Sequence, residues 1–177
     1  MSKNLKLTLR LSQDEIAKRV YELAKEIEKD YKDEDVVAVG VLNGAAIFFT
    51  DLVRNIDNIN LSLDFIRVST YGQGTQSSHT LSFKKDIELD IKGKHLILVE
   101  DIIDSGFTMS RLIEIYKNRG AATIAICALI NKTERREVDV KIDYSGFDMK
   151  DGFIVGYGLD YAEKYRQLPA IYEVEIE

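Results

Sequence analysis

Residues 96–108 read Leu-Ile-Leu-Val-Glu-Asp-Ile-Ile-Asp-Ser-Gly-Phe-Thr, and this stretch decides the fold. Leu96, Ile97, Leu98 and Val99 form a continuous apolar run, as a strand buried on both faces requires. The run leads straight into two carboxylates, Glu100 and Asp101, and a third, Asp104, stands in front of Ser105, Gly106, Phe107 and Thr108. Met109, Leu112, Ile113 and Tyr116 then recur at i, i+3, i+4, i+7, which predicts an amphipathic helix. A strand feeding a small-residue turn that opens a helix is a ready anion site. The first helical N–H groups lack intrahelical partners and lie at the positive end of the macrodipole. Gly106 lets the backbone approach a ligand closely, and Ser105 and Thr108 add hydroxyl donors.

The carboxylates beside that cradle would repel a bare phosphate. They call for a ligand that also carries hydroxyls or a divalent cation, and a sugar phosphate with Mg²⁺ meets both demands. The plainer explanation is that Ser105 or Thr108 merely caps the helix while the acids form a solvated strand end. Three acids and a phosphate-sized turn within nine residues weigh towards function.

Outward from this stretch, the chain alternates strand and helix. Residues 36–42 are another apolar run, broken by Asn43-Gly44 and followed by a helix over 45–54. Residues 61–69 read as a strand with Leu61, Leu63 and Phe65 alternating against Ser62 and Asp64. Residues 81–83 and 87–91 suggest shorter strands of a hairpin or flap. Gly120 suits the position after a helix C-terminus, and 122–130 is a further buried strand. Such alternation means βαβ units, right-handed crossovers and a parallel sheet. Ligands of such sheets sit beyond the carboxyl ends of the strands. Leu42-Asn43-Gly44, the 100–108 turn and Asn131-Lys132 all fall at such ends and so converge on one rim. Near the N-terminus, Ser12-Gln13-Asp14-Glu15 reads as a capping box with Leu11 and Ile16 as its hydrophobic staple. The helix it opens carries Ile16, Val20, Leu23, Ala24 and Ile27 on one face, a packing role.

At 177 residues the chain suits one domain, spanning 1–177, with a core that needs no disulfides. The single cysteine, Cys127, lies in an apolar run and reads as core, which fits a reducing cytoplasm. The amino-terminal residues lack a signal-peptide apolar region, and no run approaches membrane-spanning length. A net charge of −6 argues against a surface that holds nucleic acid by counterion release.

Two further segments carry candidate chemistry. Residues 69–80, Ser-Thr-Tyr-Gly-Gln-Gly-Thr-Gln-Ser-Ser-His-Thr, form a polar, glycine-containing loop. It reads either as a surface loop or as a lid, with Tyr71 its one large side chain, that keeps an activated sugar from water. His79 has no obvious catalytic partner, and His95 reads as structural. Lys132, Arg135 and Arg136 resemble a solvated loop, although at the rim Lys132 can donate to a carbonyl oxygen or a phosphate. In the C-terminal third, Gly152-Phe153-Ile154-Val155-Gly156-Tyr157-Gly158-Leu159-Asp160-Tyr161 mixes apolar residues with glycine and suggests a strand with close backbone approach. Phe153 is either core or a stacking face for a flat heterocycle.

Glu-Asp-Ile-Ile-Asp-Ser-Gly at 100–106 resembles the phosphoribosyl-pyrophosphate (PRPP) signature of the type I phosphoribosyltransferases, and within them most resembles the hypoxanthine-guanine phosphoribosyltransferases. Val-Gly-Tyr-Gly-Leu-Asp-Tyr at 155–161 closely resembles that family's C-terminal motif, and both motifs occur in the family's order. The resemblance covers residue 36 to the C-terminus. It implies an α/β type I phosphoribosyltransferase fold: a central, mostly parallel sheet flanked by helices, with a small hood or flap. It implies Mg²⁺-dependent transfer of 5-phosphoribosyl from PRPP to N9 of hypoxanthine and guanine, releasing pyrophosphate, by a cytoplasmic homodimer or homotetramer that binds neither nucleic acid nor membrane.

The same resemblance assigns roles. Glu100 and Asp101 would bind the ribose hydroxyls, partly through Mg²⁺, and Asp104 would be the general acid/base at purine N7. Ser105, Gly106, Phe107 and Thr108 would hold the 5′-phosphate. Lys132 would contact the 6-oxo group, Phe153 would stack on the ring, and the Ile154 backbone would read the base edge. Asp160 would bind Mg²⁺ and Arg166 the pyrophosphate. Leu42-Asn43-Gly44 matches the pyrophosphate loop, where the family often has a non-proline cis peptide, and Thr70 and Tyr71 match the pair on the closing loop. Two positions depart from the pattern: many relatives carry lysine or arginine at Asn43, and a charged or polar residue is common at Phe107. Two competing readings stay open at this point. One is an aspartyl-phosphate receiver domain, against which the Leu42-Asn43-Gly44 strand end counts. The other is a phosphoribosyltransferase-like nucleotide sensor that binds nucleic acid, against which Asp104, Lys132 and Phe153 count.

Overall fold

The computed structural model describes residues 5–58, 60–71 and 80–176. The elements run β1 (Leu5–Leu11), α1 (Gln13–Asp30), β2 (Val36–Val41), α2 (Ala46–Val53), β3 (Leu61–Tyr71), β4 (Thr80–Lys85), β5 (His95–Ile103), α3 (Phe107–Asn118), β6 (Thr123–Lys132), β7 (Tyr144–Met149), β8 (Ile154–Val155) and β9 (Ile171–Ile176). Six strands form one sheet in the order β4-β3-β2-β5-β6-β7. Every neighbouring pair in it is parallel except β3 with β4. Strands β1, β9 and β8 make a separate antiparallel sheet, the hood.

Strands β2 and β5 sit at the centre and are buried on both faces. Val36, Ala38, Ile97 and Val99 face one core with the apolar sides of α1 and α2, while Val37, Val39, Leu96 and Leu98 face a second core with Met109, Leu112 and Tyr116 of α3. Each fully buried side chain of this size contributes about 1.5–3 kcal/mol, so the two-sided core holds these two strands in place. From β2 the chain steps outward to β3, and from β5 it steps the other way to β6 and β7, which places the topological switch point between β2 and β5.

Helix α1 opens with the expected capping box: Ser12 accepts from the Glu15 N–H, and the Glu15 carboxylate accepts from the Ser12 N–H. Its buried residues are Ile16, Val20, Leu23, Ala24 and Ile27, and Leu11 packs against the same core. Gly120 follows α3 with φ 89°.

One element was not foreseen, and three expectations need correction. Residues 5–11 form a strand whose alternating leucines pair with β9. In β3, Asp64 is buried and Leu63 is 48% exposed, the reverse of the expected alternation. Phe49 reaches Phe65 edge-on at 4.8 Å but leaves Leu63 uncovered. Asp64 instead serves the segment after β4, accepting from Lys85 at 2.8 Å and from the Glu88 and Leu89 N–H groups at 2.7 and 3.2 Å. Residues 87–91 are consequently no strand, because the Ile87, Glu88 and Leu89 N–H groups go to the Asp86 and Asp64 side chains. The glycine-rich stretch contains only the two-residue β8, followed by turns closed at Gly156–Leu159 and Tyr161–Lys164.

Candidate active site

The β5–α3 turn is built around Gly106. Its φ of 82° is left-handed, and a Cβ there would collide with the Val138 carbonyl oxygen, so only glycine fits. No side chain caps α3. Ser105 Oγ accepts from the Phe107 N–H at 3.3 Å, while the Ser105 carbonyl accepts from Glu137 and Val138 N–H at 3.0 and 2.9 Å. The turn therefore rests on segment 136–138 and presents its open side outward.

Strand β5 continues through both acids to Ile103, so Glu100 and Asp101 are neighbours on a rigid strand rather than on a loop. Burial and the Asp101 charge push Glu100 well above the usual carboxylate range. Burial also raises Asp101, against hydrogen bonds and the Arg166 charge that pull it down. The Leu42–Asn43 peptide is cis. Gly44 lies so close to Asp101 that a Cβ there would meet the carboxylate.

Asp104 stands where two cavities meet. The smaller, about 160 Å³, is lined by Glu100, Asp104, Ser105, Gly106 and Thr108. The larger, about 480 Å³, is lined by Asp101, Asp104, Lys132, Phe153, Ile154 and Asp160 among others. Asp104 Oδ1 is buried and has no hydrogen-bond partner among the described residues. Such an acceptor costs free energy until a ligand donor meets it. Lys132 ends β6 with 8% of its surface exposed, and its Nζ lies 3.8 Å from Glu134. Phe153 is 47% exposed, with the Tyr161 ring set edge-on at 5.6 Å behind it. Asp160 is held by Arg166 at 2.7 Å and by the Glu163 N–H at 2.8 Å. Arg166 also donates to the Gly158 carbonyl at 2.7 Å.

Residues 11–162 match the phosphoribosyl transferase domain family. The chain is 45% identical over 161 residues to a hypoxanthine-guanine phosphoribosyltransferase of Bacillus subtilis, covering 91% of this chain and 89% of that one. It is 44% identical over 162 residues to the hypoxanthine phosphoribosyltransferase of Escherichia coli, covering 90% of each. The crystal structure of a hypoxanthine-guanine phosphoribosyltransferase from Bacillus anthracis, with HEPES in its active site, superposes with TM-score 0.89 at 40% identity, over 97% of this chain and 99% of that one. The chain belongs to the hypoxanthine phosphoribosyltransferase family.

Within that family frame, the expected site residues on β5, the α3 turn, β6 and the hood gather at one rim. Thr70 and Tyr71 end β3, but their side chains, and His79 with the rest of 72–79, lie outside the described residues. Sequence reasoning missed two contributors. Tyr161 stood in the C-terminal motif but was given no task, although it backs Phe153. Arg136 read as a loop charge, yet its guanidinium donates to the carbonyls of Asp104, Ile103 and Lys132 and to Asn131 Oδ1. Nothing in its spacing signalled this, because the contact is made across β5 and β6. No helix among the described residues is long and apolar enough to cross a membrane.

Proposed function

We infer that this chain is a purine-salvage transferase that moves 5-phosphoribosyl from PRPP to N9 of hypoxanthine and of guanine. The observation that carries this reading is Asp104, shared between a phosphate-sized cradle and a larger cavity flanked by a cation and an aromatic face. A nucleoside monophosphate has that shape, with phosphate at one end, base at the other and sugar between.

In this reading the bond from C1 to pyrophosphate breaks, the bond from C1 to N9 forms, and the departing pyrophosphate carries the electron pair away. The uncapped α3 terminus and the Ser105 and Thr108 hydroxyls hold the 5′-phosphate, with Gly106 and Phe107 supplying the turn backbone. Phe153 and Lys132 orient the base, and the Ile154 backbone meets its edge. The orphaned Asp104 oxygen takes the N7 proton as the ring becomes nucleophilic. Asn43 and Gly44 offer backbone groups to pyrophosphate, and Arg166 offers charge. Arg166 is engaged by Asp160 and Glu163, so it must exchange partners or act through its field from that position. Thr70 and Tyr71 would close over the site.

Mg²⁺ fits the residues present. Among the described residues no three His, Cys, Asp or Glu gather as a ready metal cage. Mg²⁺, however, keeps several waters and commonly uses one or two carboxylates plus substrate oxygens. Glu100 and Asp101, whose burial disfavours their bare charges, suit that task, with Asp160 across the cavity. When bound with substrate, the ion would neutralise developing pyrophosphate charge.

Lys132 also selects the base. A 6-oxo group accepts its hydrogen bond, whereas adenine presents an amino donor, and a buried mismatch costs about 1–3 kcal/mol. The test is a PRPP-dependent assay of hypoxanthine, guanine, xanthine and adenine, with and without Mg²⁺. Nucleoside monophosphate should form from hypoxanthine and guanine, only with Mg²⁺, and not from adenine. Failure on every oxopurine would sink the reading. We further propose a single working domain, a cytoplasmic location and a homodimer or homotetramer, the last of which sedimentation of the purified protein would check.

A further inference from the structure

Arg136 bridges the two strand ends that carry Asp104 and Lys132. Its Nε donates to the Asp104 carbonyl at 2.8 Å. Its Nη2 lies 3.2 Å from the Ile103 carbonyl, 2.7 Å from Asn131 Oδ1 and 3.1 Å from the Lys132 carbonyl. One planar group thus ties the end of β5, which carries Asp104, to the end of β6, which carries Lys132. Asn131 is itself fixed by Asp148 on the neighbouring β7, with 2.8 Å between Nδ2 and Oδ1. The Arg136 stem lies under the phosphate turn, with Cδ 3.2 Å from where a Cβ on Gly106 would stand. No ion pair of Arg136 occurs among the described residues, so the fork is spent on neutral oxygens of the site's own frame.

We propose that Arg136 is a positioning residue that sets the separation between the Asp104 carboxylate and the Lys132 ammonium, and thereby fixes where the purine sits. The proposal rests on the phosphoribosyl-transfer reading. The geometry gives it a specific signature. The phosphate turn has its own supports, the Glu137 and Val138 N–H groups on the Ser105 carbonyl, so loss of the Arg136 fork should disturb the base more than the sugar phosphate. Lysine cannot replace it, because a point ammonium cannot span acceptors on two strands as a planar fork does.

The experiment compares wild type with Arg136→Lys, Arg136→Gln and Asp104→Asn, and with Arg136→Lys combined with Asp104→Asn, using hypoxanthine and PRPP as separately varied substrates. Melting temperature is the check on folding. A misplacement of about 1 Å at the reacting groups costs on the order of a hundredfold. Arg136→Lys should therefore lower kcat/KM for hypoxanthine by about tenfold to a hundredfold while KM for PRPP stays within about threefold. In the Asp104→Asn background the same substitution should change kcat by less than about threefold, because residues acting through one another are not additive. If Arg136→Gln fails to fold, Arg136→Lys keeps the charge and decides the matter. A folded Arg136→Lys enzyme with unchanged purine parameters overturns the proposal, as does full additivity with Asp104→Asn, or a KM for PRPP that rises as much as the KM for hypoxanthine. A wild-type protein without transferase activity instead fails at the first measurement and removes the reading beneath it.

Discussion

Helices α1 and α3 begin in opposite ways. At α1 the protein satisfies its own terminus: Ser12 Oγ and the Glu15 carboxylate exchange hydrogen bonds with each other's backbone. At α3 a left-handed glycine, with no side chain to cap, occupies the cap position, and the Phe107 N–H meets Ser105 Oγ of the turn at 3.3 Å. Both helices bury an apolar face against the same sheet, so packing does not explain the difference. A helix that only packs gains about 1 kcal/mol from a cap. A helix that binds must leave its positive end for the ligand. Between these two helices, capping chemistry separates scaffold from site; α2, which starts just after the Asn43-Gly44 turn, also lacks a side-chain cap.

The sharpest way to break this contrast is Gly106→Ala. The added methyl meets a backbone oxygen and the φ is unfavourable, so the turn must move. Because this turn holds the substrate, kcat/KM for PRPP should fall by about a hundredfold or more. Retained activity would show that the turn does not carry the phosphate.

Glu100→Gln should separate function from stability with opposite signs. The folded protein raises Glu100 above its ordinary value of 4.5, so it favours the protonated form. That contribution is fully present below pH 4.5 and is lost as pH rises through the folded value. Above pH 4.5 the ligand-free variant should therefore melt higher than wild type, by about 2–4 °C per kcal/mol relieved, while losing activity. Melting curves across pH check this, and a variant that melts lower at neutral pH contradicts it.

Ser12→Ala is the smallest effect and the control for α1. It should cost about 1 kcal/mol, or about 2–4 °C in Tm, and leave kcat and both KM values unchanged. A loss of activity would mean that α1 does more than pack.

The same contrast shows what a sequence reader can see. Elements set by local patterns were legible: the Ser12 box, the buried face of α1, the apolar runs of β2 and β5, and the acid-glycine turn. The location of the rim followed from strand ends alone, and the residue roles came from the family resemblance. What escaped depends on partners distant in the chain. Strand β1 pairs with β9 at the other end of the sequence, and Leu5↔Ile176 has no local signature. Asp64 is inward because Lys85, Glu88 and Leu89 need it. Arg136 looks like a solvated charge until β5 and β6 lie side by side.

The most direct measurement is calorimetric titration of PRPP with Mg²⁺ into wild type, Ser12→Ala and Gly106→Ala, each confirmed as folded. Wild type and Ser12→Ala should bind with indistinguishable Kd, and Gly106→Ala should bind at least about tenfold more weakly, a difference of about 1.4 kcal/mol. Wild-type affinity in a folded Gly106→Ala protein would contradict the claim that the uncapped start of α3 is the phosphate site.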